Sequence, residues 1–187
     1  MDQAEFIAAA LRNPVNYEIL ERMPSLGLDD VWLVSGALFQ SAWNALSGRA
    51  SDYGVKDYDV FYYDRDTSWE AEDIAIKRAA AVFADLAASI EVRNQARVHL
   101  WYPRKFGVPY SALSRSTDGI DRFLMTCAQV GLSRESTGYV VYAPCGFGDI
   151  EQMTIRPNLV DNFRAEAYYA KALRWRTLWP ELTTLAP

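Results

Sequence analysis

Histidine is almost missing from this chain: His99 stands alone among 187 residues. One imidazole leaves most zinc sites short of ligands, and histidine-based nucleophile schemes without a second partner lose their usual architecture. A lone histidine is more often a hydrogen-bonded core or boundary group than a catalyst. Cysteine is scarce too. Cys127 and Cys145 form no CxxC pair, so the composition reads as a cytosolic protein with free, inert thiols. No apolar run reaches membrane-spanning length, and the run Phe6 to Leu11 lacks the basic flank of a signal peptide. Positive charge is not in excess. The formal net charge of −5 argues against broad sequence-independent binding to nucleic acid. Internal repeats, low-complexity tracts and interdomain linkers are also lacking.

What remains is an ordinary globular composition, 50% hydrophobic, over a length that suits one domain. A chain of this size buries roughly 70% of the surface its unfolded form exposes. Residues 2–12 read as a short helix. Asn13-Pro14 then gives an N-cap and a proline at the first position of a second helix, which Pro24 ends. Both helices read as packing elements.

The informative stretch is Asp57-Tyr58-Asp59-Val60-Phe61-Tyr62-Tyr63-Asp64. Its β-branched and aromatic run from Val60 to Tyr63 favours a buried strand. On an extended backbone, residues two apart project to the same face, so Asp57 and Asp59 point together. Anions that close repel unless a cation or a shared proton lies between them. The competing reading is that both aspartates end a solvated strand, as turn residues do.

Upstream, Val31-Trp32-Leu33-Val34 is a second apolar strand, followed by Ser35-Gly36-Ala37 and a helical pattern from Leu38 to Leu46. Strand, small-residue turn and helix start make an anion site: glycine admits a phosphate to the backbone, and first-turn N–H groups point at it. Tight strand–helix turns also use glycine for geometry alone. Residues 47–56 read as a polar loop in which Arg49 and Lys56 could meet a phosphate or only water. Thr67 with Glu70 suggests a capping box for a helix to about Ala88, buried through Ile74, Ala75, Ala81, Val82 and Leu86. That helix reads as a crossover. Ile90 to Arg93 is a third strand and brings a third acid, Glu91. The segment Asn94 to Tyr102 fits either an alternating strand or a short helix capped by Asn94. Residues 103–109 look like a basic loop, 118–127 helical, Tyr139 to Tyr142 a strand, and Phe163 to Trp175 a last helix carrying Lys171, Arg174 and Arg176. Trp175, Trp179 and Pro180 tuck the tail onto the domain. Cys145-Gly146-Phe147-Gly148-Asp149 is a tight loop without the spacing of a dinucleotide fingerprint.

The order of these features resembles the nucleotidyltransferase superfold and, more closely, a bacterial family of nucleotidyltransferase-like proteins of unknown function. The matching segments are Ser35-Gly36-Ala37 with Trp43-Asn44, Lys56-Asp57-Tyr58-Asp59-Val60, Val92 to Tyr102, Ala143-Pro144-Cys145-Gly146, Arg156-Pro157-Asn158, and Lys171 with Trp179-Pro180. Together they span most of the chain. The resemblance implies an α/β (α+β) fold: a mixed β-sheet flanked by helices, with helical additions at both termini. It implies one domain over 1–187, with a core over about 29–102 and additions over 1–28 and 103–187.

The implied activity is transfer of a nucleoside monophosphate from a nucleoside triphosphate to an unknown hydroxyl acceptor, releasing pyrophosphate. The implied cofactor is magnesium, or manganese in its place. Asp57, Asp59 and Glu91 would be the catalytic, metal-binding carboxylates. Ser35, Gly36, Lys56 and Asn94 would be the nucleotide-binding set. Two such ions need only a few carboxylates plus substrate phosphates. The superfold's usual glycine-glycine or glycine-serine pair stands here as Ser35-Gly36-Ala37. That departure supports an alternative: a nucleotide-binding or regulatory module of the same fold without turnover. A third reading, an RNA-directed transferase, draws on Arg93, Arg97, Arg104 and Lys105 interleaved with Trp101 and Tyr102. Against it, these arginines could simply pair with acids at the domain edge. The expected setting is cytoplasmic, with no membrane partner and no general nucleic-acid partner.

Overall fold

Both expected N-terminal helices form, and capping chemistry opens each of them. In the computed structural model, which describes residues 1–187, Asp2 and Glu5 exchange hydrogen bonds in a capping box on α1 (Gln3–Leu11). Asn13 caps α2 (Pro14–Arg22) by accepting from the Val15 amide at 3.0 Å, with Pro14 at the first position. Pro24 falls in a 3₁₀ turn, Met23–Leu26, that closes the helical pair on left-handed Gly27.

The sheet has five strands in the order β3-β2-β1-β4-β5: β1 (Trp32–Val34), β2 (Tyr58–Tyr62), β3 (Ile90–Asn94), β4 (Gly131–Glu135) and β5 (Gly138–Tyr142). β2 and β3 run parallel and every other pairing is antiparallel, so the sheet is mixed. It takes β4 and β5 from beyond residue 102. β4 has little hydrophobic pattern of its own; its place is set by packing. Gly131 leaves the space that a Cβ would contest with Ile120, 2.7 Å away, and Trp32, 3.2 Å away.

α4 (Trp69–Val82) is the crossover between the parallel strands. Three details differ from expectation. Ser68, not Thr67, caps it by accepting from the Ala71 amide at 3.2 Å, and the helix stops at Val82. Its buried face is Glu72, Ala75 and Ala79, whereas Ile74 is 57% exposed and Ala81 is exposed. The helix is turned by its one buried acid: Glu72 accepts from the Asn94 amide at 3.0 Å and pairs with Arg97 at 2.9 Å.

The open reading of Asn94 to Tyr102 resolves to helix. Asn94 Oδ1 accepts from the Ala96 amide at 3.0 Å, starting a 3₁₀ turn (Gln95–Arg97) that runs into α5 (Val98–Phe106). Helix therefore covers Pro103 to Phe106, where a loop was expected, and left-handed Gly107 ends it. The expected helix over 118–127 shrinks to α6 (Ser116–Ile120) and a 3₁₀ turn at Thr126–Ala128. α7 (Gly148–Glu151), β6 (Thr154–Ile155), α8 (Ala165–Leu178) and β7 (Thr183–Thr184) complete the chain, with β6 and β7 paired in parallel.

The 33-residue core runs from Phe6 to Leu182. At its C-terminal end the tail tucks in as expected. Trp43 packs edge-on against Trp175 and Trp179 at 5.8 and 5.5 Å, and Trp179 Nε1 donates to Asn44 Oδ1 at 2.9 Å. No helix is long and apolar enough to cross a membrane.

Candidate active site

Strand register brings the sequence-predicted acids to one place. Val34 lies opposite Asp59, and Asp59 opposite Glu91, so the end of β1 and both acids meet side by side. Along β2, Tyr58, Val60 and Tyr62 point into the core while Asp59 and Phe61 point out. Ser35, Gly36, Asp57, Asp59 and Glu91 all line one cavity of about 340 Å³.

Ser35 turns the chain from β1 into α3 (Gly36–Leu46) with φ +57° and ψ −118°, a left-handed conformation that favours glycine. Its amide donates to the Val130 carbonyl at 2.8 Å, which ties the turn to the segment entering β4. The Leu38 and Phe39 amides donate to the Ser35 carbonyl at 2.9 and 3.1 Å, and Ser35 makes no side-chain cap, so the Gly36 and Ala37 N–H groups are the ones left for an anion at the cavity wall.

Asp57 and Asp59 lie within 4.0 Å of no cationic side chain. Burial pushes the Asp59 carboxyl up to about 6, helped by the charges of Asp57 and Glu91 and opposed by Lys171 and Arg93. Glu91 differs. Its carboxylate accepts from Arg93 Nη2 at 3.1 Å, and no three acidic, histidine or cysteine side chains form a cluster able to hold a metal. The donor set at the floor is thus the Asp57–Asp59 pair, with Glu91 beside it and engaged by an arginine.

The cavity holds more positive than negative residues. Arg93, Lys105, Arg122, Arg164, Lys171 and Arg174 line it against Asp57, Asp59 and Glu91. Lys171 and Arg174 come from α8, spaced to share a helical face with Trp175. Lys171 is exposed as a residue, but protein crowds its ammonium, and that desolvation is the main cause lowering its pKa from the ordinary value. Arg174 adds to that shift, while Asp59 and Asp57 oppose it. Several buried polar atoms of lining residues have no partner: Gln40 Oε1, Asn162 Oδ1, Arg164 Nε and Trp175 Nε1. Such orphans are uncommon in folded proteins.

Two expected nucleotide contacts are not brought here. Lys56 is exposed and does not line the cavity. Asn94 is 1% exposed, and its amide is fully used: it donates to the Asp64 and Asp66 carbonyls at 2.9 and 3.3 Å and accepts from the Asp64 and Ala96 amides at 3.1 and 3.0 Å. Its position is architectural. Arg49 pairs with Glu181 at 2.9 Å and so faces a carboxylate in place of a phosphate. Arg97 turns inward to Glu72 and the Thr67 carbonyl, which breaks up the basic stripe expected over 93–105. His99 lies outside the cavity, and its Nδ1 has no hydrogen-bond partner, contrary to expectation. Burial drives the Cys127 thiol far up, as befits an inert thiol.

Sequence reasoning missed Arg122 and Arg164 as site residues and assigned no role to Lys171 and Arg174. Only the last pair carried a signal, two cations and a tryptophan at helical spacing.

A mixed sheet that delivers a Ser-Gly helix start beside two aspartates belongs to the nucleotidyl-transferring folds. Residues 21–184 match the nucleotidyltransferase family, and the chain belongs to that family. Its architecture is similar to an NMR structure described as revealing a CCA-adding enzyme head domain. The two share 25% identity and a TM-score of 0.80, covering 100% of this chain and 97% of that one. No curated protein matches the chain.

Proposed function

We propose that the protein is a magnesium-dependent nucleotidyltransferase that moves a nucleoside monophosphate from a nucleoside triphosphate to a hydroxyl acceptor. The observation that carries this is an aspartate pair without a cation partner, beside an uncapped Ser35-Gly36 helix start and facing Lys171 and Arg174 across one cavity. Oxygen donors left uncompensated at a phosphate-sized opening suit a hard divalent cation, and Asp57 and Asp59 would hold it. Magnesium, or manganese, bound there supplies charge stabilisation to the α-phosphate and to departing pyrophosphate. The chain's own groups do the rest. Ser35, Gly36, Lys171 and Arg174 receive the triphosphate. The acceptor's oxygen bonds to the α-phosphorus, the bond to the bridging oxygen breaks with its electron pair leaving on pyrophosphate, and Glu91 takes the hydroxyl proton. We place the protein in the cytoplasm, where Cys127 and Cys145 stay reduced.

The test titrates magnesium and each nucleoside triphosphate into the wild type and into Asp57→Asn/Asp59→Asn. Magnesium-dependent nucleotide binding by the wild type, lost in the double variant, is the expected result; equal binding by both defeats the proposal. The second reading, a nucleotide-binding or regulatory module without turnover, rests on the pairing of Glu91 with Arg93. Pyrophosphate release with any acceptor in a broad panel eliminates it.

A further inference from the structure

One end of the cavity carries three cations that none of its carboxylates pairs with. Lys105 from α5, Arg122 just beyond α6 and Arg164 at the start of α8 belong to three separate elements, yet they gather over one aromatic platform. Lys105 Nζ and Arg164 Cζ sit 5.3 and 4.4 Å from the Phe106 ring centre, and Arg122 Cζ sits 5.8 Å from that of Tyr110. Tyr102 joins the two rings, 4.6 Å from Phe106 and 4.4 Å from Tyr110.

Contact with an aromatic face positions a cation without neutralising it. The one carboxylate within 4.0 Å of these three is Asp161, 3.6 Å from Arg122 and 85% exposed, where an ion pair is worth little. Converging cations without a buried counter-charge make an anion site. Asn162 adds direction. It is 2% exposed, and its amide nitrogen donates to Tyr102 Oη at 3.3 Å and the Arg122 carbonyl at 3.1 Å. Its Oδ1 has no donor, and the residue lines the same cavity. A hydroxyl or an N–H group supplies such a donor, and the transfer reading already calls for a hydroxyl.

We propose that this end is the acceptor's subsite and that the acceptor is a small hydroxyl-bearing anion. Its phosphate or carboxylate rests among Lys105, Arg122 and Arg164, and one of its hydroxyls donates to Asn162 Oδ1. The acceptor role rests on the transfer reading above; the anion site does not. The same cavity, about 340 Å³ in all, also receives the triphosphate at its aspartate end, so the acceptor's share suits only a compact molecule.

The experiment follows the wild-type chain by ¹H–¹⁵N NMR while glycerol 3-phosphate, glycerate or neutral glycerol is added. The expected result is saturable shifts at the side-chain N–H groups of Arg122, Arg164 and Asn162 with both anions, glycerol binding about tenfold more weakly or less. Whichever anion saturates first tells phosphate from carboxylate. Lys105→Met/Arg122→Met should weaken anion binding by about tenfold and leave nucleoside triphosphate affinity within about twofold. Shifts that appear first at Ser35 and Gly36, glycerol binding as tightly as the anions, or a parallel loss of nucleotide affinity would overturn the proposal. The wild-type map decides the matter even if the double variant folds poorly. Failure of the transfer reading looks different: no nucleotide binding by the wild type, with the anion shifts intact, overturns the acceptor role alone.

Discussion

Replacing Asp59 with asparagine should make this protein more stable, and the gain should depend on pH. The carboxyl is held at about 6 against an ordinary 3.8, chiefly by burial and then by the charges of Asp57 and Glu91. A group whose pKa is raised on folding contributes stability below its unfolded pKa and loses that contribution as pH rises through its folded one. Ionised Asp59 therefore costs the fold at most about 3 kcal/mol above pH ~6, at about 1.4 kcal/mol per unit. Asparagine keeps the shape and carries no charge. Urea unfolding of wild type and Asp59→Asn in chelator should show a gap that opens between about pH 4 and pH 6 and then stays level. Magnesium should close the gap by stabilising the wild type, because a ligand that binds only the folded state adds RT ln(1 + [L]/Kd). A gap independent of pH, or an asparagine variant less stable at pH 8, would refute the argument that charge at this position is tolerated for function at the expense of stability.

Other perturbations separate site from scaffold. Lys171→Met should weaken nucleoside triphosphate binding by about tenfold in calorimetric titration, whereas Lys56→Met should leave it unchanged. Glu72→Gln should cost about 3 kcal/mol or more in denaturant melts, since it strands Arg97 at a buried position. Asn94→Ala should lower stability by about 2 kcal/mol without changing nucleotide affinity in the folded fraction, because it frees backbone groups and its side chain hydrogen-bonds no cavity residue. Ser35→Gly should raise the unfolding midpoint by about 1 kcal/mol equivalent, relieving its left-handed backbone, while Ser35→Ala should give no such gain.

Much of the acidic side of the site was legible because it depends on local patterns. The alternation around Asp57 and Asp59 fixed their common face, and the strand that carries Glu91 announced itself by composition. Asn94 was readable as a cap but not as a fully satisfied one, since its partners Asp64 and Asp66 come from a loop that only folding brings near. The face of α4 was misread for a similar reason: hydrophobic spacing favoured Ile74, yet a buried carboxylate bound to Asn94 and Arg97 sets the rotation. The basic side was the least legible. Lys105, Arg122, Arg164 and Lys171 lie on segments distant in the chain, and no spacing rule joins them. β4 escaped because Gly131 makes a strand there by leaving room, a property visible only beside Ile120 and Trp32.

The tryptophan interlock between Trp43, Trp175 and Trp179 has a mechanical outcome. α3 starts at the Ser35-Gly36 turn and α8 bears Lys171 and Arg174, and the indoles together with the Trp179–Asn44 bond clamp these two helices into one block. The helix start at Gly36 and the two cations of α8 therefore keep a fixed spacing, set by packing and not by whatever enters between them.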